Sequence, residues 1–159
     1  MADNMAQEYA ETIREELRAW ERLHQIWQAG HDPETAAEML GQDGGTLARQ
    51  AREELDGVGG WETIDDHGSV ASVYTDHYAL DAWTVAHHRY DTDPEPVAVV
   101  ILRTVGGPNC HISADLNDPG SVEVLTWWGG DTGRAWLRSE MIAEAAELAA
   151  DCIAYGVNA

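Results

Sequence analysis

The N-terminal part of the chain repeats its apolar residues every three or four positions, which is the spacing of one helical face. Between about Asn4 and Gln28 this spacing is unbroken and predicts a long first helix. Its apolar stripe consists of Tyr9, Ile13, Leu17, Trp20, Leu23 and Trp27. Helix-start signals at Asp32 and Thr46 predict two further helices. Residues 1–60 are therefore expected to be helical.

Beyond residue 60 the apolar period changes to two, the alternation of strands with one buried face. Four strands are predicted, at Tyr78–His88, Val97–Val105, Asn109–Leu116 and Val122–Trp128, and Ser69–Thr75 is a candidate for a fifth. The links between them carry turn residues and are too short for a parallel crossover, so neighbouring strands should run antiparallel. A last apolar stripe predicts a helix over Ser139–Tyr155.

Together these elements predict a single α+β domain over residues 1–159. A helical N-terminal third (1–60) precedes a four- to five-stranded antiparallel β-meander (61–130), and a C-terminal helix region (131–159) closes the chain. One face of such a sheet has to be covered. The first and the last helix are the candidates for that cover.

The charge of the chain restricts its partners. There are 29 acidic residues against nine basic ones, all of them arginine, and the net charge is −20. Neither half of the sequence has a basic patch, so we expect no direct binding of nucleic acid or of an anionic membrane. The carboxylates instead favour a protein partner with a basic surface, for which they would compete with nucleic acid. A homodimer stays open.

The cysteines give no sign of a metal site or of a disulfide framework. Cys110 and Cys152 have no zinc-ligand spacing, and both are expected to be free thiols of a cytoplasmic protein. No secretory signal precedes the first helix, and no apolar run approaches the roughly 20 residues of a membrane span. Since the cysteines have no metal-ligand spacing and the sequence has no cofactor-binding motif, we expect neither a metal nor a cofactor.

The neighbours Cys110 and His111 suggest a catalytic dyad, but strand geometry argues against it. Successive side chains of a strand point to opposite faces, so the thiol should face the core and the imidazole should not. Asn109, His111, Ser113 and Asp115 share the imidazole's face, which is either a solvated surface or a recognition surface. Phosphate-binding and nucleophile motifs are absent from the sequence. The sequence accordingly predicts a protein that is not an enzyme.

Two tryptophans supply the best candidates for a binding surface. Trp127 and Trp128 end a strand just before a glycine pair, and adjacency places one indole on each face of the sheet. An exposed indole among acids is typical of protein interfaces. The predicted binding residues are Asp115, Asp118, Glu123, Trp127, Trp128 and Asp131, together with Asn109 and His111.

The segments Leu102–Asn109 and Leu125–Gly130 follow a recurrent pattern: a strand ending in two glycines and a proline, and a strand ending in Trp-Gly. This pattern resembles small proteins of phages, plasmids and conjugative elements. Size, acidity and layout are similar to anti-restriction and anti-CRISPR proteins. The resemblance implies an inhibitor of a nucleic-acid-handling host defence complex. It assigns no functional residue and does not extend to the first sixty residues.

Three hypotheses for the function follow. The first is a non-enzymatic, acidic protein-binding module that presents carboxylates to a basic surface. The second is a small stress, dimerisation or housekeeping domain of a halophilic or GC-rich organism, whose acidity serves only solubility. The third is a small enzyme or ligand-binding domain that uses His87 or His88 with His111 and Asp115 on one sheet face.

Overall fold

The structure is a computed structural model that describes residues 4–87, 95–104 and 108–157, without the side chains of 86, 87, 95, 96 and 152–157. Its first half is helical: α1 (Met5–Gly30), α2 (Pro33–Gln42), α3 (Thr46–Val58), α4 (Trp61–His67) and α5 (Val70–Tyr78). Five strands follow: β1 (Asp81–His87), β2 (Glu95–Thr104), β3 (Asn109–Asp115), β4 (Ser121–Trp128) and β5 (Asp131–Arg138). The last element is α6 (Glu140–Val157).

The five strands form one sheet in the order β1-β2-β3-β4-β5, and every neighbouring pair is antiparallel. The sheet is therefore a meander with helices before and after it. This confirms the predicted α+β class, the helical N-terminal region and the closing helix. The predicted reversal at residues 105–107, the link at 88–94 and His88 lie outside the described residues.

The candidate strand at Ser69–Thr75 is wrong, because this segment is the N-cap and the first part of helix α5. The Ser69 hydroxyl accepts a hydrogen bond from the Ser72 main-chain N–H at 3.0 Å and thereby caps the helix. Val70, Val73 and Tyr74 are buried at helical spacing. The helical region consequently extends to Tyr78, and the sheet begins at Asp81 rather than near residue 61.

The fifth strand is Asp131–Arg138, a segment that the sequence analysis assigned to the C-terminal helix region. The glycine pair before it forms a two-residue hairpin turn, with Trp128 paired to Asp131 and Gly129 at a φ of 65°. Such turns need residues that adopt positive φ, and glycine does so without strain. The glycines therefore connect two strands rather than ending the sheet, and Trp136 lies on β5 instead of in a loop.

Two helices cover the same face of the sheet. Helix α1 contacts β4 and β5, and α6 contacts β1, β2 and β3. The α1 stripe is confirmed, because Ile13, Leu17, Trp20, Leu23 and Trp27 are all buried. Strands β3 and β4 alternate buried with partly exposed residues, and Cys110, Ile112 and Val124 face the helices.

The N-terminal end of α1 also reaches the outer edge of β5. The Gln7 side-chain amide donates a hydrogen bond to the Arg134 main-chain oxygen at 2.8 Å, and its own oxygen accepts one from the Arg134 N–H at 2.9 Å. The Asn4 amide donates to the Thr132 main-chain oxygen at 3.2 Å. These bonds fix the start of α1 against the last strand.

Glu21 of α1 caps the N-terminus of α6. Its carboxylate accepts hydrogen bonds from the Ser139 hydroxyl at 2.8 Å, from the Glu140 N–H at 3.1 Å and from the Met141 N–H at 3.0 Å. A carboxylate at this position satisfies main-chain donors that have no partner inside the helix and also complements the helix dipole. The contact ties the two helices that cover the sheet.

We expect Glu21→Ala to lower the free energy of unfolding by about 1–2 kcal/mol, because it removes the carboxylate that accepts from the Glu140 and Met141 N–H groups in the first turn of α6. Urea denaturation followed by far-UV circular dichroism measures this loss. Glu38→Ala, which removes an exposed carboxylate from α2, is the control and should change stability little. Equal losses in the two variants would contradict the capping role.

Candidate functional site

The face of the sheet opposite α1 and α6 is not covered by a helix among the described residues, and we call it the open face. The strand registers place these side chains on it: Asp81, Trp83 and Val85 on β1; Ala98, Val100 and Leu102 on β2; Asn109, His111, Ser113 and Asp115 on β3; Ser121, Glu123, Leu125 and Trp127 on β4; and Thr132, Arg134, Trp136 and Arg138 on β5.

The middle of the open face is a row of three rings. The imidazole of His111 lies between the indoles of Trp83 and Trp127, with centroid distances of 5.0 and 4.8 Å and interplanar angles of 83° and 73°. These are edge-to-face contacts, which stabilise aromatic pairs. Burial by this environment lowers the pKa of His111 below its ordinary value of 6.5. At neutral pH the imidazole is therefore uncharged and adds no positive charge to the face.

Because of this row of rings, the polar face of β3 is not simply a surface that contacts water. The four residues predicted to share a face do so, and the thiol of Cys110 points the other way. The neighbouring strands, however, surround His111 with Leu102 and Leu125, which lie directly opposite it. The middle of the open face is consequently a contiguous apolar strip, and such strips on a surface mark interaction sites.

The end of the open face near the β3–β4 turn is acidic. Ser113, Glu123 and Trp136 lie side by side on three strands. The Trp136 indole N–H donates a hydrogen bond to Glu123 Oε2 at 3.0 Å, and 58% of Trp136 is exposed. Asp115 is exposed beside them, and its Oδ1 accepts a hydrogen bond from the Asn117 N–H at 2.8 Å. These residues line a cavity of about 420 Å³.

Most of the predicted binding residues lie at the two ends of the open face. Asp115 and Glu123 belong to the acidic end, and Asp118 lies in the adjoining turn, where its carboxylate is 3.6 Å from Arg138 Nη2. The other end holds Asn109 and Trp127, with His111 between the two groups, whereas Trp128 and Asp131 pair with each other at the end of β4 and β5 with their side chains on the opposite side of the sheet. The structure therefore brings Asp115 and Glu123 together but not these two with Asp131.

The two adjacent tryptophans point to opposite faces, as the strand period predicts. Trp127 lies on the open face opposite Asn109 and is half-buried. Trp128 has the orientation of the buried Thr126 and is 39% exposed at the last position of β4. Trp127 is accordingly the one that belongs to the candidate site. Trp83 and Trp136 belong there too, although sequence reasoning did not include them.

The chemistry of a thiol enzyme is not assembled on the described residues. Burial raises the pKa of the Cys110 thiol to about 12, which keeps it protonated, and it faces away from His111. His111 and Asp115 are four residues apart on one strand, or about 13 Å at roughly 3.3 Å per residue. Residues 4–87, 95–104 and 108–157 contain no group of three or more His, Cys, Asp or Glu that could hold a metal ion.

The side chains of His87 and Cys152 also lie outside the described residues, as does His88. The third hypothesis, a His/Asp site, therefore has only His111 and Asp115 in the described part of the chain, and these two do not meet. No helix described in the structure is both long and apolar enough to cross a membrane.

A second cluster of charges, which no local sequence pattern predicts, lies between the sheet and the helices. Arg103 Nη2 is 3.0 Å from Glu16 Oε2, and their side chains are only 16% and 13% exposed. The guanidinium also lies 4.1 Å from the ring centroid of Tyr78, a cation–π contact. The Tyr78 hydroxyl donates to Glu54 Oε2 at 2.6 Å, and the Trp20 indole N–H donates to the same oxygen at 3.1 Å.

The partners of this cluster are all within the fold. It joins α1, α3 and α5 to β2, so its role is to hold the helices on the sheet. Burial raises the pKa of the Glu16 carboxyl above its ordinary value of 4.5, although Arg103 acts in the opposite direction. The cluster is consequently a structural feature, and the open face stays the candidate functional site.

Comparison of the chain with protein-family models, with curated proteins and with solved structures gives no match. The resemblance to anti-restriction and anti-CRISPR proteins therefore stays a prediction, and the open face is the feature of the molecule that bears on its function.

Proposed function

We propose that the protein is a non-enzymatic binding module whose open face recognises a basic surface on another protein. The observation that carries this proposal is a set of three tryptophans, the exposed Trp136 and the partly exposed Trp83 and Trp127, on a sheet face that also presents carboxylates. Tryptophan is enriched among the residues that dominate protein–protein binding. A face that served only solubility would not need these indoles.

Charge specifies the partner. The net charge of −20 repels a second copy of the chain and attracts a cationic surface, and such complementarity accelerates association and selects among partners. The neutral imidazole of His111 leaves the middle of the open face without a cation. The two arginines on β5 lie near carboxylates of the chain itself, Arg134 near Glu123 and Arg138 near Asp118.

The finer proposal concerns the kind of partner. A protein that handles nucleic acid has a basic surface that binds phosphates, and a folded chain of this size is about 40 Å across. Duplex DNA of that length carries about 24 phosphate charges, which is close in number to the net charge of this chain. The module would then occupy the nucleic-acid site of a host defence complex, in keeping with the sequence resemblance described above.

The experiment that tests the proposal captures binding proteins from host extract on the immobilised chain and measures their affinity. The open-face variant is Asp115→Asn/Glu123→Gln/Trp127→Leu. The control is Glu38→Gln/Glu53→Gln, which removes the same number of charges from exposed positions on α2 and α3. We expect the open-face variant to bind a captured protein at least tenfold more weakly, about 1.4 kcal/mol, and the control to bind almost normally.

Salt and nucleic acid supply the further criteria. Affinity for the captured protein should fall steeply as salt is raised, because the contacts are between charges near the surface. Duplex DNA should displace the protein if the finer proposal is right. An affinity that is insensitive to salt, or equal effects of the two sets of substitutions, would contradict recognition by the open face.

A further inference from the structure

The acidic end of the open face combines an aromatic wall with two carboxylates, and this combination is selective among cations. We infer that the open face docks a partner segment that carries arginine, with one guanidinium lying on the Trp136 indole and bonded to Asp115 and Glu123. The inference rests on the proposed function and adds to it that the partner's arginines, rather than its lysines, are recognised.

The Trp136 indole is held in place for such a contact. Its N–H is bonded to Glu123 Oε2, which fixes the edge of the ring, while more than half of the residue is exposed. Glu123 is only partly exposed, so its carboxylate is less free to move than a fully solvated one. A planar cation that stacks on the indole would therefore lie beside a carboxylate already in position.

The cavity beside Trp136 supplies hydrogen-bond acceptors. Asp115 is exposed, and it lines the 420 Å³ cavity together with Ser113 and Ser121, whose side chains carry hydroxyl groups. The chain's own Arg134 extends toward Glu123, with Nη1 at 3.9 Å from Oε2, which is longer than a hydrogen bond. The position of Arg134 shows that a guanidinium can approach this carboxylate. Because Arg134 makes no hydrogen bond to Glu123, a guanidinium of the partner can make one.

Arginine fits this arrangement better than lysine does. The guanidinium is planar, stacks on aromatic rings and presents five N–H donors in a rigid plane, whereas the lysine ammonium is a compact and strongly hydrated point charge. The first can contact the indole and two carboxylates at once. A cation over tryptophan contributes about 0.5–2 kcal/mol depending on its hydration.

The test compares two synthetic peptides of equal length and charge, in which glycine alternates with arginine or with lysine. Binding to the whole chain is measured by titration calorimetry at low salt. We expect the arginine peptide to bind roughly tenfold more tightly than the lysine peptide. Trp136→Leu should bring the two affinities within about twofold of each other, chiefly by weakening the arginine peptide.

Trp128→Leu is the matched control, because it removes another exposed indole from the opposite side of the sheet. It should leave the preference for arginine unchanged. Arg134→Ala should tighten the arginine peptide, since it removes a competing guanidinium from Glu123. Unfolding curves of the three variants verify that each is folded.

The outcomes separate this inference from the proposed function. Equal binding of the two peptides to the unaltered chain, or a preference for arginine that survives Trp136→Leu, would overturn the inference alone. The proposed function fails, and the inference fails with it, if Asp115→Asn/Glu123→Gln binds both peptides as well as Glu38→Gln/Glu53→Gln does. Loss of both peptides only in the open-face pair supports the function, and loss of the preference in Trp136→Leu supports the inference.

Discussion

Replacing Arg103 with alanine is expected to lower the free energy of unfolding by about 3–5 kcal/mol, because it leaves a buried carboxylate without its counter-charge. Glu16 and Arg103 are both largely buried and 3.0 Å apart, so the loss should be that of a buried ion pair rather than of a surface one. The Tyr78 ring also loses the guanidinium stacked on it. Urea denaturation at neutral pH measures the change.

The pH dependence of this loss identifies its cause. Burial already raises the pKa of Glu16 above 4.5, and removing Arg103 should raise it further because Arg103 lowers it. A carboxyl whose pKa is higher in the folded state stabilises the fold when protonated, below the unfolded pKa, and this stability is lost as pH rises through the folded pKa. The defect of Arg103→Ala should therefore shrink as pH falls toward 4.5.

The double variant Glu16→Gln/Arg103→Ala supplies the control, since it has no buried charge to compensate. At neutral pH it should be more stable than Arg103→Ala alone, and its defect should change less with pH. A defect of Arg103→Ala that is constant over pH, or a double variant that is less stable than the single one, would show that the side chain acts only by filling space.

Replacing Gly133 with alanine is expected to lower the free energy of unfolding by about 3 kcal/mol or more, because α1 lies directly on this residue. An added Cβ would overlap the main-chain oxygen and carbon of Ala6 and lie 2.6 Å from Gln7 Cα. Main-chain atoms cannot rotate away as a side chain can, so α1 would have to move off β5. Thermal and urea unfolding both measure the change.

Gly130→Ala, in the turn before β5, is the matched control. A Cβ at Gly130 would meet no atom within 4 Å, and its φ is not among the positive ones. The same substitution three residues away should therefore leave stability almost unchanged. If Gly133→Ala were as stable as Gly130→Ala, the close packing of α1 on β5 would be wrong.

Local sequence pattern was sufficient to predict much of the fold. The two wrong assignments, of residues 69–75 to a strand and of residues 131–138 to the C-terminal helix region, each come from a local signal that is compatible with two structures. The alternation of β3 and the stripe of α1 are set by burial of one face, and burial leaves a period in the sequence. Residues 70–75 contain valine, tyrosine and threonine, which favour strands, but the cap at Ser69 and burial of one helical side prevail. A glycine pair after a strand can either form a hairpin turn to a further strand or end the sheet, and the sequence alone does not distinguish the two for Gly129 and Gly130.

Only the part of the candidate site that depends on alternation within a single strand was predicted from the sequence. The period of two placed Asn109, His111 and Asp115 on one face of β3, since alternation along a strand can be read without knowing the neighbouring strands. Which residues meet across strands depends on register, and register placed Trp83 and Trp136 on the same face. The Glu16–Arg103 pair joins residues 87 positions apart, which no local pattern records.

The Gln7 side chain has a consequence for the behaviour of the protein at high concentration. Its amide makes the pair of hydrogen bonds with Arg134 that the main chain of a sixth strand would make. An unpaired sheet edge is a template on which further chains polymerise. By occupying the main-chain donor and acceptor of Arg134 from within the molecule, Gln7 blocks the edge of β5 at that residue, so the aromatic open face lies beside an edge that is partly closed to strands of other chains.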